Sequence, residues 1–184
     1  MNVVPLEAAH SDALLTFFRA LPEADRTFIK EDVTDPETVR AMASAGEGRG
    51  RRWVTLAEDG TGVTGYVAVL PLAGWSDHVG EIRLVVASAS RGTGLGRELA
   101  RHALVQAVAA GLTKLIVEVV AEQGSALALF TALGFSGEAL LQDQIRDRDG
   151  RLRDLMVLAH HVPATWSRMD SLGLADDAVE GAAG

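Results

Sequence analysis

The sequence predicts an α/β fold in which a mixed central sheet is flanked by helices. Three observations predict it. The middle of the chain alternates strand, helix, strand, helix and strand patterns, which calls for helices packed on a sheet. Asp59-Gly60 and Asp149-Gly150 are hairpin turn signals on either side of that middle. At 184 residues, 48% of them hydrophobic, the chain suffices for one domain that buries its own core.

The elements follow in order. Residues 2–6 read as a short first strand. Ser11 is placed to cap a helix whose apolar stripe is Leu14, Leu15, Phe17, Phe18 and Leu21, and Pro22 ends it. Residues 22–35 read as a polar connection carrying Phe28 and Ile29. Asp35-Pro36-Glu37 offers a capping Asp and then Pro at the first helical position, opening a helix over 37–45. A loop over 46–50 leads to strands over 52–57 and 62–70. Residues 71–77 form a loop exposing Trp75, and 79–86 form the next strand. Leu95, Leu99, Ala103 and Ala107, with Leu104 and Val108 beside them, stack at helical spacing until Gly111. Residues 114–120 are an apolar run of the kind carried by strands covered on both faces. Residues 125–133 are a short helix with Ala126, Leu129, Phe130 and Leu133 on one face, stopped by Gly134. Strands over 140–147 and 153–161 close a domain expected to span 1–162. The small, acidic stretch 163–184 is expected to be a flexible tail in which Leu172 and Leu174 are the docking candidates.

Composition excludes several classes. Without cysteine there is no disulfide framework, thiolate metal site or Cys nucleophile. A net charge of −8 argues against non-specific nucleic-acid binding and suits a cationic or amine-bearing acceptor. No signal pattern appears, and no apolar run reaches the roughly 20 residues of a membrane span, so a cytoplasmic protein without membrane contact is expected.

The most informative stretch is Arg91-Gly92-Thr93-Gly94-Leu95-Gly96, between an apolar strand and a helix. A glycine-rich turn entering a helix leaves backbone N–H groups without internal partners. The positive end of the helix dipole makes this an anion site, and Arg91 adds a donor fork. The turn reads as a diphosphate cradle. Its glycine spacing fails the dinucleotide fingerprint by one residue, and no Lys follows Gly96 as a mononucleotide P-loop requires. The pattern R-x-x-G-x-G remains.

Residues 86–96 resemble the acyl-CoA signature of the GNAT superfamily of N-acyltransferases. Residues 125–135, ending in Leu133-Gly134-Phe135, resemble that family's second motif. The resemblance covers about residues 3–162 and implies a mostly antiparallel central sheet. It also implies acetyl-CoA as co-substrate, with its pyrophosphate on the backbone of 91–96. The pantetheine arm would pair along the strand through Leu84, Val85 and Val86, with Gln123, Ser125 and Phe130 beside it.

Acyl transfer needs a neutral amine, a polarised thioester and a stabilised or protonated thiolate. Glu81 resembles the catalytic Glu of histone-type members, and Glu118 the Glu used by ribosomal-protein acetyltransferases. Glu118 sits in Ile116-Val117-Glu118-Val119-Val120, whose apolar character would raise its pKa. Each carboxylate also has a plainer reading, as a salt bridge or a solvated strand residue. Many members carry Tyr where this chain has Phe130, so the thiolate leaves unprotonated or takes its proton from water or Ser125. Gln123 stands where the motif has Asn and keeps an amide at similar reach. Tyr66 reads as packed. His78, just before the strand over 79–86, is either a base or acceptor ligand or simply an exposed loop histidine, and His160-His161 has no companions at ligand spacing, so no metal is expected. Arg146, Arg148, Arg151 and Arg153 alternate with Asp147, Asp149 and Asp154 in a hairpin tip that is either solvated or borders the acceptor.

The function expected is transfer of an acetyl or short acyl group from CoA to a primary amine on a small molecule or peptide. The alternatives are a non-catalytic acyl-CoA-binding module and a nucleotide-binding protein. Trp75 or a bare strand edge is the candidate surface for a homodimer.

Overall fold

The computed structural model describes residues 2–26, 29–44 and 50–162. Seven strands make one sheet: β1 (Val3–Pro5), β2 (Arg51–Leu56), β3 (Val63–Pro71), β4 (Val79–Val86), β5 (Lys114–Val120), β6 (Ser136–Arg146) and β7 (Leu152–His161). Their order is β1-β2-β3-β4-β5-β7-β6. Every neighbouring pair is antiparallel except β4 and β5. The helices are α1 (Ser11–Ala20), α2 (Glu23–Arg26), α3 (Pro36–Ser44), α4 (Leu95–Ala109) and α5 (Gly124–Ala132). The expected mixed, mostly antiparallel sheet between helices is the one observed.

Alternation along the strands distributes side chains between two cores. Val67 and Val69 of β3, Ile82 and Val86 of β4 and Leu115, Val117 and Val119 of β5 pack under α4 and α5. Leu99, Ala103 and Ala107, read as the apolar stripe of α4, are fully buried against them. Tyr66 and Ala68 of β3 point the other way, to Leu14, Phe17 and Phe18 of α1 and Val39 of α3. No helix of the described residues is long and apolar enough to cross a membrane.

Close packing of α4 on the sheet depends on a glycine. A Cβ on Gly65 would lie 2.7 Å from Leu99 Cδ1 and 2.9 Å from Thr55 Oγ1. Leu99 is fully buried, and the Thr55 hydroxyl is tied to Thr64 at 3.0 Å, so neither can retreat freely. Gly65→Ala is therefore expected to destabilise the fold by about 1–3 kcal/mol through overpacking. The check is the urea midpoint; an unchanged midpoint would show that the layers relax there without cost.

Local patterning and tertiary structure part company at four places. Ser11 lies inside α1, where its hydroxyl donates to the Ala8 carbonyl at 2.7 Å, and His10 takes the cap position. A first turn of 3₁₀ helix over Ala8–His10 supplies a carbonyl acceptor, that of Ala8, to the amide of Ser11, which a cap would otherwise serve. The connection after α1 contains α2, too short to announce itself by periodicity. Strand β6 begins at Ser136 rather than 140, because the pairing of Ser136 with Ala159 extends it beyond its alternating pattern. It is an edge strand, and Leu140 and Leu141 remain exposed. Finally, β5 is covered on one face only: Glu118 emerges on the other. Asp35 caps α3 as expected, its carboxylate accepting from the Thr38 amide at 2.9 Å. Trp75 is 97% exposed. Phe28, the loop residues 46–49 and the stretch 163–184 lie outside the described residues.

Candidate active site

The site arises from an interrupted ladder. β4 and β5 pair only through Val79 with Lys114, Gly80 with Leu115 and Glu81 with Ile116. Past that point β4 stays with β3 as far as Val86, and β5 stays with β7 as far as Val120. The two strands therefore diverge, each held by its other neighbour. The edge of β4 from Ile82 to Val86 that faces β5 has no strand partner, which leaves backbone groups for an extended ligand to pair with. The gap is part of a cleft of about 830 Å³. Ile82–Val86 line it from one side and Val117–Val120 from the other.

At one end of the cleft lies the glycine turn. Gly92 and Gly94 have φ of +76° and +92°, the left-handed region that side chains disfavour. The carbonyl of Gly94 accepts from the Arg97 and Glu98 amides at 3.0 and 3.1 Å, which makes Gly94 the cap residue of α4. Among the described residues, the amides of 92–96 donate to no backbone carbonyl. They gather at the positive end of a helix of 15 residues. A Cβ on Gly92 or Gly94 would meet no atom within 4 Å, so the turn is open on its outer side. At Gly96 a Cβ would lie 3.6 Å from Val86 Cγ2 and 3.7 Å from Leu129 Cδ2.

The predicted cradle residues divide into groups. Arg91, Gly92 and Gly96 line the cleft together with Ser90. Thr93 and Gly94 do not line it, and the Thr93 hydroxyl donates to the Ser90 carbonyl at 2.7 Å, which braces the turn. Leu95 does not line the cleft either, since its side chain is buried in the core under α4. Arg91 is engaged by Asp25 of α2 at 2.6 Å. Leu84, Val85, Val86, Gln123, Ser125 and Phe130 all line the cleft.

Phe130 is buried, with its ring edge-on to Phe135 at a centroid distance of 5.3 Å. It offers an apolar wall and no proton.

In the middle of the cleft the two carboxylates meet through a residue the sequence reading passed over. Lys30 Nζ lies 2.8 Å from Glu81 Oε1 and 2.8 Å from Glu118 Oε2. Glu81 is also gripped by Arg83, two residues along the same strand face, through Nε at 3.1 Å and Nη2 at 3.0 Å. Arg83 in turn pairs with Glu31. Burial of Glu81 pushes its carboxyl up, but hydrogen bonds from Arg83 and Lys30 outweigh it and hold the carboxyl below its ordinary value. Burial pushes the Lys30 ammonium down, but its bonds to Glu118 and Glu81 hold it above its ordinary value. Glu118 is not enclosed by apolar side chains, as its strand neighbours imply. Its side chain is 26% exposed and meets Lys30 across the gap.

Sequence signals existed for both missed cations. Arg83 stands two residues after Glu81, the spacing that puts both on one strand face. Lys30 is one of only two lysines in the chain. Tyr66 also lines the cleft, and burial pushes its phenol up to about 12. It packs edge-on against Phe18 at 5.6 Å, as a core tyrosine does. The closing hairpin borders the cleft through Gln144, Ile145 and Arg146. Arg148 and Arg153 are tied to Glu23 and to Asp147 and Glu122. His78 is exposed away from the cleft, and His160 is buried beside Phe135.

The family model described as "Acetyltransferase (GNAT) family" matches residues 14–135. The chain belongs to the GNAT acetyltransferase family. No curated protein matches it in sequence. Among solved GNAT structures it is similar to a GCN5-related N-acetyltransferase from Kribbella flavida, at 27% identity over 87% of this chain and 96% of that one, with a TM-score of 0.76. It is also similar to a ribosomal-protein-alanine N-acetyltransferase from Brucella melitensis, at 24% identity over 88% and 99% of the two chains, TM-score 0.76. A third likeness is to yncA of Salmonella typhimurium, solved with its cofactor acetyl-CoA, at 22% identity over 88% and 94%, TM-score 0.77. The last two likenesses are of fold. The seven-strand, mostly antiparallel sheet is thus a GNAT sheet.

Proposed function

We propose that this GNAT member moves an acetyl, or another short acyl group, from CoA to a primary amine by direct attack. One observation carries the reading: the unpaired edge of β4 runs from the open amides at the start of α4 toward Glu81 and Glu118. The amides of 92–96 hold the pyrophosphate, with no side chain between them and the ligand. The pantetheine arm completes the ladder along Leu84, Val85 and Val86, against the apolar wall of Leu129 and Phe130. The acetyl-CoA of the yncA structure, a protein of the same fold, supports this choice of co-substrate.

Acetyl-CoA supplies an activated thioester. The protein supplies a base and a positioned backbone. Glu118 is the better base of the two carboxylates, because Lys30 is its one ion-pair partner among the described residues. Glu81 is held by Arg83 and Lys30 together and acts as the anchor of the cluster. Glu118 takes the amine proton, directly or through water, while backbone near Leu84 to Val86 polarises the carbonyl. The thiolate then takes a proton from solvent or from Ser125, since Phe130 has none. The acceptor, a small molecule or a peptide amine, enters between Phe18, Ile29 and Met42 on one side and Gln144, Ile145 and Arg146 on the other.

Purified protein incubated with acetyl-CoA and a panel of primary amines is expected to release free thiol with at least one of them. Tight acetyl-CoA binding by calorimetry, with no thiol released across the panel, would instead support a non-catalytic acyl-CoA sensor. The buried Phe130 is the observation that keeps that second reading alive.

A further inference from the structure

The chain holds 17 basic Lys and Arg residues, and only Lys30 and Lys114 are lysines. Lys114 lies at the start of β5, paired with Glu138 at 2.5 Å. The other sits between the two carboxylates of the cleft. An ion pair at that place needs only a cation, and this sequence uses arginine almost everywhere else. Lysine differs in one chemical respect that matters here: its ammonium can lose a proton and become a nucleophile, whereas a guanidinium cannot. Lys30 Nζ is a primary amine within hydrogen-bond distance of both candidate bases. Its side chain is 46% exposed and lines the same cleft as Leu84 to Val86 and Gly92.

We infer that Lys30 is an acetyl acceptor of its own protein, modified within the cleft from bound acetyl-CoA. The inference rests on the acyltransferase reading of the same cleft. Nζ passes one proton to Glu118, to which it is already bonded, and attacks the thioester carbonyl carbon. An N–C bond forms and the C–S bond breaks, and the electron pair leaves with sulfur as CoA thiolate. Of the two protons left on nitrogen, one goes to the thiolate and the other stays as the amide N–H, and the carboxylate returns its own to solvent. The products are an Nζ-acetyl amide, free CoA thiol and one proton. Because the two carboxylates favour the ammonium form, the event is slow, and it occurs once per molecule.

Its consequence is chemical. The amide carries no charge, so Glu81 and Glu118 lose their shared cation: Glu81 keeps Arg83, and Glu118 is left free to pair with the ammonium of an incoming acceptor. Lys30 thus stands where a substrate amine would stand.

The test uses the full chain with acetyl-CoA alone, followed by peptide mass spectrometry. The expected result is a single acetyl group on Lys30. Its formation should outpace that on Lys114 by on the order of 100-fold or more, the advantage of a held reactant over a collision. The rate constant should not depend on protein concentration. Gly94→Glu, which removes the cradle, and Glu118→Gln should each reduce the Lys30 signal at least about tenfold, while Lys114 is unaffected. Lys30→Arg keeps the charge and should abolish the modification. No acetyl on Lys30, or equal rates at both lysines in wild type and Gly94→Glu, would overturn the inference. Calorimetry with acetyl-CoA and the amine panel separates the two ideas: binding and turnover with an unmodified Lys30 sink this one alone, and loss of binding sinks both.

Discussion

Gly94→Glu is expected to abolish acetyl-CoA binding measured by calorimetry. The substitution acts in three ways. It puts a carboxylate at the positive end of α4, where the pyrophosphate would sit, and so competes with and repels the ligand. It places a side chain over amides that are open on that side, since a Cβ there meets no protein atom within 4 Å. It also forces a residue with a Cβ to hold φ +92°, at a cost of about 1–2 kcal/mol. Hydrogen bonds to a charged group are worth about 1.5–3 kcal/mol each, so losing two of them weakens binding by more than about 100-fold. Gly94→Ala separates the causes. It carries the backbone strain without the charge and should bind more weakly than wild type but far better than the Glu variant. Because the position is open, both variants should fold. Wild-type affinity in Gly94→Glu would place the pyrophosphate elsewhere and remove the basis of the functional reading.

The second large effect separates the two carboxylates. Glu118→Gln is expected to lower kcat by about 100-fold or more, in the range for loss of a general base. Stability should change little, because Glu118 is partly exposed and pairs with a half-exposed lysine. Glu81→Gln is expected to do the reverse in proportion. It removes the anchor of Arg83 and Lys30 and should cost about 2 kcal/mol of stability, the penalty for partly buried donors losing their charged acceptor. The pH dependence adds a sign. The carboxyl of Glu81 is lowered in the folded state, so its stabilisation is present above the unfolded value and is lost as pH falls through the lowered folded value. Wild type should therefore lose stability with acid over that interval, and Glu81→Gln should show a shallower loss. Urea unfolding at a series of pH values measures it. If Glu81→Gln instead silences turnover with unchanged stability while Glu118→Gln is active, Glu81 is the base.

Much of this molecule was legible in one dimension. The Asp35 cap and the apolar stripe of α4 rest on local capping and periodicity, which act within a few residues. The glycine turn was legible because positive φ and bare amides demand glycine locally. Short or edge elements were not. Four residues of α2 cannot display a period, and the start of β6 is decided by its partner Ala159. The environment of Glu118 was misjudged for a related reason. Its immediate neighbours Val117 and Val119 are apolar, but they turn to the opposite face of the sheet, and Glu118 itself opens on the cleft.

By itself the sequence determined the family, the sheet-and-helix alternation and the position of the glycine turn and of the two carboxylates, because each is written in residue type and near spacing. Only the tertiary structure decided that β4 and β5 part after Glu81, and that Lys30, 51 residues away along the chain, comes to bridge Glu81 and Glu118. The physical reason is the reach of the forces involved. Turns, caps and stripes are satisfied by neighbours in sequence. A strand splay and a shared ion pair are set by which neighbours each strand keeps on its other edge, and by which loop the packed helices carry over the gap.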